Sequence, residues 1–366
     1  MRINHLISSG GLYGAEKMII NLALGQQALG ANVTITVFRN SHAPNVEVAD
    51  QARALGIDVA ILPCKGRFDP LAVRQLRRAL RSQHTTVLHT HGYKANLYGY
   101  LASRGLPLTV IGTCHRFDTG AHNRFDGPIL RRYDAVAGVS DEAAGLLVSQ
   151  YHLNSAKVVS IPNGISIPER PASAADSDAY PTHPTVAMVG RLAPEKAPED
   201  FVKVAANLHT EHPEVRFVIA GDGPLRPDLE QMVQESGLDS VVQFLGFRED
   251  IESIYDAVQI LLQPSLREGM PMTTLEAMAG QVAIVATKVG ALPDVIQSGV
   301  NGLLVDTHDV QGMTAAVAQL LDNPDQAARM AAQGRADVIA RYGSQTMARS
   351  YLNLYQDAAL AQQSAA

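Results

Sequence analysis

The sequence predicts an α/β fold with two doubly wound, Rossmann-like domains that face a central cleft. Short apolar runs alternate with amphipathic stretches of helical period along most of the 366 residues. Several apolar runs are continuous in Val, Ile and Leu, as is typical of strands buried on both faces of a parallel sheet. The pattern starts again after a polar break. Repeated βαβ units with one restart predict two parallel sheets, and such sheets bind ligands at the carboxyl ends of their strands.

The first half, residues 1–166, is predicted to form the N-terminal domain. Its candidate strands are Ile3–Ser8, Val33–Phe38, Val59–Leu62, Thr86–His89, Leu108–Thr113, Ala135–Val139 and Val158–Ile161. Amphipathic stretches between them, such as Ala15–Leu29 and Pro70–Gln83, predict the connecting helices. The run at Ile3–Ser8 is too short for the apolar region of a secretion signal, so we interpret it as the first buried strand.

A polar segment separates the two halves. Residues 167–184 are rich in Pro, Ala, Ser and Asp and have no apolar period, which predicts an exposed linker. The second domain is predicted over residues 185–343. Its candidate strands are Thr185–Val189, Val215–Ala220, Val241–Leu245, Val258–Leu262, Val282–Ala286 and Leu303–Val305. The helical segments Val310–Leu321, Gln326–Tyr342 and Gln345–Ala361 follow.

Composition indicates an ordinary globular protein whose halves carry opposite charge. Hydrophobic residues make up 46% of the chain and charged residues 18%. Residues 1–170 hold 18 Lys and Arg against 11 Asp and Glu, whereas residues 171–366 hold 12 against 25, which suggests different partners for the two domains. Two cysteines exclude a disulfide framework, and no run reaches the roughly 18–20 apolar residues that cross a bilayer. We expect a cytoplasmic protein with no nucleic-acid partner.

One loop of the second half combines two carboxylates, Glu268 and Glu276, with a helix start. Between them lie Gly269, Met270, Pro271, Thr274 and Leu275. A helix N-terminus offers unpaired N–H groups and partial positive charge, which suit a phosphate. Carboxylates accept hydrogen bonds from sugar hydroxyl groups. The combination predicts a sugar-nucleotide site, although the spacing alone also fits two acids on a solvated loop.

Two other strand ends of the second half carry residues suited to a diphosphate. Arg191 and Lys196 follow Gly190 at the end of the first strand. Arginine pairs with two phosphate oxygens and lysine acts as a compact charge, so both would stabilise a departing nucleoside diphosphate. Gly221-Asp222-Gly223 follows the next strand, where glycine lets the backbone approach a ligand. Both motifs also fit ordinary surface turns.

A glycine-rich loop follows the first strand of the chain. Gly10 and Gly11 precede a helical stretch that begins at Ala15, which resembles a loose dinucleotide-binding sequence. The match is imperfect, and the second strand ends in Arg39 rather than in the acid that would bind a ribose. An arginine there would accept a 2′-phosphate, so an NADP-dependent oxidoreductase stays open as an alternative.

Histidines end two neighbouring strands of the first half. His115 ends the fifth predicted strand, where its ring is suited to bind a sugar hydroxyl or to position reacting groups. His89 and His91 end the preceding strand. A zinc site needs a third ligand of defined geometry, so we interpret these residues as hydrogen-bonded polar strand ends and predict no metal site.

The stretch 68–83 forms the most clearly amphipathic helix in the sequence. Its basic face contains Arg74, Arg77, Arg78 and Arg81. Apolar residues lie on the opposite face. Such a charged face is commonly just solvated. The functional interpretation is a dock for an anionic membrane surface or a lipid-diphosphate acceptor, where each cation contributes on the order of 1 kcal/mol.

These motifs together resemble the GT-B glycosyltransferases of family 4 over essentially the whole chain. In the family's order they are Gly10-Gly11 with Ala15-Glu16, Thr113-x-His115, Val139-Ser140, Ile161–Ile165, Gly190–Leu192 with Lys196, Gly221–Pro224 and Glu268–Ala279. The resemblance implies two Rossmann-like domains and a C-terminal helix, residues 344–366, that returns to the first domain. It also implies a retaining enzyme that needs no metal ion or other cofactor.

The resemblance implies roles for individual residues. Glu276 would bind the ribose hydroxyls, Glu268 and His115 would face the donor sugar, and Arg191 and Lys196 would hold the diphosphate. Backbone groups of Gly11, Gly269, Met270 and Thr274 would complete the pocket, and the loop Phe247-Arg248 would contact the base. Front-face attack assisted by the leaving phosphate is the usual proposal for such enzymes, and it requires no protein nucleophile.

The expected activity is transfer of a hexosyl residue from a nucleotide diphosphate sugar, with a UDP-sugar favoured over GDP-mannose. The expected acceptor is a glycan or a lipid-linked molecule in cell-surface polysaccharide or glycolipid synthesis. The enzyme is expected in the cytoplasm, peripherally at the inner membrane face. Three alternatives stay open: a non-hydrolysing sugar-nucleotide epimerase, an NADP-dependent oxidoreductase, and a sugar-binding subunit without catalytic activity.

Overall fold

The computed structural model describes residues 1–9, 11–42, 44–66, 68–115, 123–168 and 183–365. The chain divides into two compact units. The first comprises Met1–Ser166 with Tyr342–Ala366, and the second comprises Ile167–Arg341. Each unit is built on a parallel sheet with intervening helices, as the sequence predicts. Most of the predicted linker, 167–184, lies outside the described residues.

The first unit contains a seven-stranded parallel sheet. Its strands are β1 (Arg2–Ile7), β2 (Asn32–Asn40), β3 (Asp58–Cys64), β4 (Val87–His91), β5 (Thr109–Cys114), β6 (Ala135–Gly138) and β7 (Val158–Ser160). They lie in the order β3-β2-β1-β4-β5-β6-β7. The strand order therefore reverses between β1 and β4, which is the point where doubly wound sheets bind ligands. All seven predicted strands are confirmed, with ends that differ by a few residues.

Seven helices surround this sheet in the described part of the first unit. They are α1 (Gly14–Ala28), α2 (Glu47–Ala54), α3 (Pro70–Ser82), α4 (Tyr93–Ser103), α5 (Asn123–Leu130), α6 (Asp141–Ser149) and, near the end of the chain, α14 (Ser344–Ala365). The start of α3 is encoded locally, because the Asp69 carboxylate accepts bonds from the N–H groups of Leu71 and Ala72. Such a cap contributes about 1 kcal/mol.

The last helix belongs to the first unit, although the second unit precedes it in sequence. It packs against α1 so closely that a Cβ atom on Gly25 would lie 2.5 Å from the carbonyl oxygen of Ser344. Tyr351 and Tyr355 are fully buried. The predicted return of the C-terminal helix to the first domain is therefore confirmed.

The second unit contains a six-stranded parallel sheet. Its strands are β8 (Thr185–Val189), β9 (Arg216–Ala220), β10 (Val242–Gly246), β11 (Ile260–Gln263), β12 (Ala283–Thr287) and β13 (Leu303–Val305). They lie in the order β10-β9-β8-β11-β12-β13, so this order reverses between β8 and β11. All six predicted strands are confirmed.

Helices cover the second sheet in the same alternating order. They are α7 (Pro198–Glu211), α8 (Arg226–Glu235), α9 (Ile251–Ala257), α10 (Met272–Ala279), α11 (Leu292–Val295), α12 (Val310–Asp322) and α13 (Pro324–Arg341). The core includes Phe201 and Phe217, whose rings pack edge to face with centroids 5.9 Å apart. Among the described residues, no helix has both the length and the apolar character needed to span a membrane.

Candidate active site

The strands β8 and β11 are neighbours, and the loops that follow them carry a partly buried ion pair. Lys196 ends a short 3₁₀ turn, Pro194–Lys196, after β8, and Glu268 lies in the loop after β11. Lys196 Nζ lies 2.5 Å from Glu268 Oε1, and the two side chains are 23% and 6% exposed. The reversal of strand order thus brings together two predicted site residues that are 72 positions apart.

Two neutral groups hold the same carboxylate oxygen. Gln263 Nε2 and Ser265 Oγ each lie 2.6 Å from Glu268 Oε1. Thr274 donates to the amide oxygen of Gln263, and Thr287 Oγ1 donates to the Ser265 carbonyl at 2.5 Å. The hydrogen bonds that the described side chains make to Glu268 all end on Oε1. The other oxygen, Oε2, is therefore the one suited to accept a bond from a ligand.

Sequence reasoning missed Gln263 and Ser265. Both are polar and buried, at 6% and 0% exposure. They alternate at the end of a strand that is otherwise apolar, so their side chains point to the same side. That alternation, three residues before Glu268, is the signal that could have identified them.

The backbone of the Glu268 loop is held in place by a glycine from the next strand end. Gly290 has a φ of +55°, and a Cβ atom there would lie 2.1 Å from the carbonyl oxygen of Glu268. The N–H group of Ala291 donates to the Gly269 carbonyl at 2.9 Å. Only glycine permits this approach, so the loop position is fixed by the backbone as well as by the side chains.

Helix α10 starts directly behind the loop. Pro271 is its N-cap residue and no side chain caps the helix, so its first-turn N–H groups remain available to an anion. The side chains of Met270, Thr274 and Leu275 are buried in the core. These predicted site residues therefore offer a ligand their backbone rather than their side chains.

Glu276 lies in the second turn of α10 and is half-buried. It faces Tyr255 of α9. Burial, followed by the charge of the Glu276 carboxylate and a hydrogen bond to it, raises the pKa of Tyr255 well above its ordinary value. The Tyr255 hydroxyl oxygen lies 3.1 Å from the Thr273 carbonyl oxygen. The position of Glu276 is thus supported from an adjacent helix.

The glycine loops after β8 and β9 pack backbone against backbone. A Cβ atom on Gly221 would lie 1.8 Å from the Gly190 carbonyl oxygen, and one on Gly223 would lie 2.3 Å from the Leu192 carbonyl oxygen. The Leu192 N–H group donates to the Asp222 carbonyl at 3.0 Å. These glycines are therefore required by the packing of the two loops, which positions the backbone next to Arg191.

The remaining predicted residues of the second unit are exposed. They are Arg191, Asp222, Phe247 and Arg248. Arg248 forms two bonds to the Asp250 carboxylate, at 2.7 and 2.5 Å. Its guanidinium is thus engaged by a neighbour, whereas Phe247 is 56% exposed at the end of β10.

In the first unit, the glycine loop forms a tight turn with Ser9. The Gly11 N–H group donates to Ser9 Oγ at 3.1 Å, and the serine hydroxyl donates to the Gly11 carbonyl at 2.5 Å. The N–H group expected to contact a ligand is therefore engaged within the turn. Gly10 lies outside the described residues. Helix α1 follows, where Glu16 accepts a bond from the Tyr13 N–H group at 3.1 Å.

The predicted histidines form a cluster that also includes His5 of β1. His91 Nδ1 lies 3.0 Å from His115 Nε2, and His89 Nε2 lies 2.6 Å from Thr113 Oγ1. Burial is the main cause that lowers the pKa of all four rings, to about 4 for His5 and His115. The rings are therefore neutral at pH 7.

Three of these rings lie close enough to raise the question of a metal ion. One nitrogen each of His5, His89 and His91 lies within 4.8 Å of the others. However, both nitrogens of each of these rings have hydrogen-bond partners among the described side chains. The geometry favours a hydrogen-bonded cluster. His5 was missed because only the register of β1 against β4, which pairs it with His89, reveals it.

The basic face of α3 is partly used within the protein. Arg74, Arg78 and Arg81 are exposed. Arg77 is half-buried, and its guanidinium donates to the carbonyl groups of Ala102 and Arg104 at 2.9 and 2.6 Å. The last carbonyl groups of a helix lack partners within the helix, and Arg77 supplies a donor to those at the end of α4. The prediction of four solvent-facing arginines is therefore wrong for Arg77.

Two family models match consecutive parts of the chain. Residues 13–168 match the model for Glycosyltransferase Family 4, and residues 169–337 match the model for Glycosyl transferases group 1. Over 188 residues the chain is 34% identical to D-inositol 3-phosphate glycosyltransferase from Corynebacterium kroppenstedtii, with coverage of 49% of this chain and 42% of that protein. Over 316 residues it is 29% identical to alpha-D-kanosaminyltransferase from Streptomyces kanamyceticus, with coverage of 79% and 82%.

Solved structures show the same fold over nearly the whole chain. The protein is similar to HepE from Anabaena in complex with UDP-glucose, with a TM-score of 0.84, 20% identity, and coverage of 98% of this chain and 100% of that chain. The two parallel sheets and the two family matches define the class as GT-B glycosyltransferases. Within this class, the chain belongs to family 4, also described as group 1.

Proposed function

We propose that the protein transfers a hexosyl residue from a nucleotide diphosphate sugar to a glycan or lipid-linked acceptor, with retention of configuration at the sugar. The observation that carries this proposal is the Lys196–Glu268 pair, whose glutamate lies in the loop that leads into α10. It places a cation, a carboxylate and a helix N-terminus within one loop system. This set of groups suits a ligand with a charged middle and hydroxyl-rich ends.

The diphosphate would be bound by positive charge and backbone N–H groups. Lys196 and the exposed Arg191 supply the cations, and the first turn of α10 supplies the N–H groups. Negative charge grows on the leaving oxygen as the bond to the sugar breaks. Fixed donors around that oxygen stabilise the transition state more than the ground state.

The two carboxylates would bind the hydroxyl groups at either end of the ligand. Glu276 is assigned to the ribose and Glu268, through Oε2, to the transferred sugar. Glu268 is held by Lys196, Gln263 and Ser265, so its position is set before the ligand arrives. Such preorganisation reduces the entropy lost on binding.

Retention would follow from attack on the same face as the departing phosphate. In that route the phosphate oxygen helps to remove the proton of the acceptor hydroxyl, and no protein nucleophile is assigned. Lys196 and Arg191 would carry the charge that a metal ion carries in other transferases, so we propose a reaction without a metal cofactor.

The donor is proposed to be a UDP-sugar, with GDP-mannose as the next candidate. The Anabaena protein of the same fold is described in complex with UDP-glucose. The exposed ring of Phe247 at the end of β10 provides a flat apolar group near the predicted base site.

The acceptor is proposed to reach the enzyme at the inner membrane surface. Exposed Phe68 and Leu71, at 51% and 62% exposure, precede the exposed arginines of α3. Apolar residues beside basic ones are typical of segments that lie on anionic lipid.

A thermal-shift screen across UDP-, GDP-, ADP- and dTDP-sugars tests the proposal, followed by a transfer assay with the stabilising donor. A ligand at 100 times its dissociation constant stabilises the folded state by about 2.7 kcal/mol. We expect one nucleotide class to stabilise the protein and the product to retain its anomeric configuration by NMR. Sugar isomers formed without an acceptor would instead identify an epimerase, and an inverted product would refute retention.

A further inference from the structure

A line of hydrogen-bonded side chains runs from the end of β5 into the core of the first unit. His115 Nε2 lies 3.0 Å from His91 Nδ1, and His91 Nε2 lies 3.0 Å from His5 Nδ1. At the inner end, His5 Nε2 lies 2.8 Å from Gln26 Oε1. His5 and Gln26 are fully buried and His91 is 3% exposed. We call His91, His5 and Gln26 the histidine relay.

The amide oxygen of Gln26 sets the direction of every bond in the relay. Because this oxygen can only accept, His5 must carry its proton on Nε2. A neutral imidazole has one N–H donor and one acceptor nitrogen. His5 Nδ1 therefore accepts from His91 Nε2–H, and His91 Nδ1 accepts from His115 Nε2–H. The lone pair of His115 is left on Nδ1.

The other end of the Gln26 amide contacts helix α14. Gln26 Nε2 donates to the Tyr355 hydroxyl at 3.1 Å. The Tyr355 hydroxyl lies 2.7 Å from His89 Nδ1, to which it then donates. Rotating the amide by half a turn would reverse each bond of the relay and place a proton on His115 Nδ1. Four hydrogen bonds thus connect His115 to Tyr355, which lies 240 positions away in sequence.

His115, at the end of the relay, has one nitrogen that can still accept a hydrogen bond. His115 Nδ1 is buried and has no hydrogen-bond partner among the described residues. A buried acceptor without a donor is unfavourable, because it has lost its hydrogen bond to water. Burial lowers the pKa of His115 to about 4, so protonation does not satisfy this nitrogen at neutral pH. A ligand that brings a donor would.

We propose that the histidine relay holds His115 in the Nε2–H tautomer, so that Nδ1 accepts a hydrogen bond from a hydroxyl group of a ligand. His91, His5 and Gln26 are positioning residues in this scheme, because they act on the ligand only through His115. The identity of the ligand rests on the proposed function. The tautomer does not, since it follows from the unliganded geometry.

Nitrogen-15 NMR of the labelled full-length protein tests the tautomer directly. Long-range proton–nitrogen correlations distinguish a protonated from an unprotonated ring nitrogen, and the spectrum of a His115→Gln variant assigns the His115 signals. We expect His115 with Nε2 protonated and Nδ1 bare at pH 7. A protonated Nδ1, or equal populations of both tautomers, would overturn the proposal whether or not the enzyme transfers sugar.

A substitution of Gln26 tests whether the relay imposes that tautomer. Gln26→Met keeps the length of the side chain and removes the acceptor, so His115 is expected to populate both tautomers. Thr109→Val on β5 is the matched control, because it removes a bond to Gln362 and leaves the relay and its partners intact. It should leave the His115 spectrum unchanged. If Gln26→Met fails to fold, the wild-type spectrum still decides the question.

Ligand binding then links the tautomer to the sugar. Apparent affinity falls in proportion to the population of the competent state. Gln26→Met should raise the dissociation constant of the nucleotide sugar about two- to fivefold. The factor should equal the inverse of the fraction of His115 that NMR shows with an unprotonated Nδ1. The dissociation constant of the nucleotide diphosphate, which lacks the sugar, should not change. Equal weakening of both ligands would indicate a merely structural role. If Zn²⁺ bound stoichiometrically and shifted the His5, His89 and His91 signals, these histidines would form a metal site and the relay proposal would be overturned.

Discussion

Lys196 and Glu268 form an ion pair in which a proposed ligand-binding group is also part of the frame that holds its loop. Their side chains are 2.5 Å apart, and Gln263 and Ser265 bond to the same carboxylate oxygen. When the lysine is removed, Glu268 keeps two neutral donors, so we expect the loop to stay in place. The positive charge, however, is lost. Function and folding should therefore respond differently at this position.

Lys196→Ala is expected to lower kcat/KM for sugar transfer by about 10²–10³-fold, because a fixed donor to a developing oxyanion contributes about 2.7–4 kcal/mol. Steady-state kinetics with thermal unfolding as a folding check measure this effect. Lys288→Ala is the control, since Lys288 pairs with Asp306 at an exposed site and should leave both readouts near wild type. Wild-type turnover in the Lys196 variant would refute the site assignment.

Glu276→Gln is expected to raise the dissociation constant of the nucleotide at least about tenfold, because a charged acceptor for the ribose hydroxyls becomes neutral. Calorimetric titration measures the change. The pKa of Tyr255 should also fall, since the Glu276 charge helps to raise it, although burial keeps it above the ordinary value. Glu252→Gln on the exposed side of α9 is the control. Unchanged affinity in the Glu276 variant would contradict the ribose assignment.

The sequence was sufficient to predict the strands and the helix start around the residues that carry their own local context. Glu268 and Glu276 lie beside glycine, proline and helix formers, and Lys196 follows a strand end. Their partners Gln263 and Ser265 carry no such context. Their alternation marks them as polar, but their contact with Glu268 becomes evident only when the end of β11 is known to lie beside Lys196. Long-range pairing therefore limits prediction at the residue scale.

At the scale of elements, the contact between α1 and α14 depends on the absence of one side chain. Gly25→Ala would place a Cβ atom 2.5 Å from the Ser344 carbonyl oxygen and 2.9 Å from the Ala348 side chain. We expect a loss of about 1–3 kcal/mol in the free energy of unfolding, as overpacking usually costs. Denaturant unfolding followed by circular dichroism measures it.

Gly145→Ala provides the matched control in another helix of the same unit. A Cβ atom on Gly145 in α6 would have no atom within 4 Å. Alanine favours a helix over glycine by up to about 1 kcal/mol, so this variant should be equally stable or more stable. If Gly25→Ala matched it, the close packing of α14 on α1 would be disproved.

Helices with a clear amphipathic pattern were predicted well from the sequence, whereas the elements that they pack against were not. The start of α3 is visible from Asp69 and Pro70, and its basic face from the spacing of the arginines. The engagement of Arg77 by the end of α4 was not predictable, because it depends on the tertiary packing of two helices. A helical period specifies which face is polar and leaves open what that face contacts.

At the scale of the whole molecule, the neutral histidines make stability depend on pH. The folded-state pKa of His5 and His115 is about 4, whereas an unfolded histidine titrates near 6.5. The unfolded chain therefore binds protons first as the pH falls. Stability is present above about pH 6.5 and is lost progressively toward pH 4, by about 2 kcal/mol per group at pH 5.

Urea unfolding at pH 7 and pH 5 measures this loss of stability. His115→Gln should reduce the loss by the contribution of one histidine. Glu16 has the opposite effect on stability. Burial raises its pKa in the folded state, so its protonation at low pH stabilises the folded state. A His115 variant that kept the full wild-type pH dependence would contradict a neutral, buried His115.

The basic face of α3 makes a further prediction for the intact protein. Replacement of Arg74, Arg78 and Arg81 by Gln should abolish co-sedimentation with phosphatidylglycerol vesicles at low salt, because three exposed cations each contribute on the order of 1 kcal/mol. Arg53→Gln is the control, since Arg53 pairs with Asp50 on α2. Failure of the wild-type protein to co-sediment would refute the membrane proposal.

The position of α14 has a consequence for how the polypeptide matures. Tyr351 and Tyr355 complete the core of the first unit, yet the ribosome makes them after all residues of the second unit. Until then His89 and Gln26 lack their tyrosine partners. The nascent first unit therefore stays incompletely packed while the second unit is synthesised, and a nonsense codon just before α14 would leave the first unit without this part of its core.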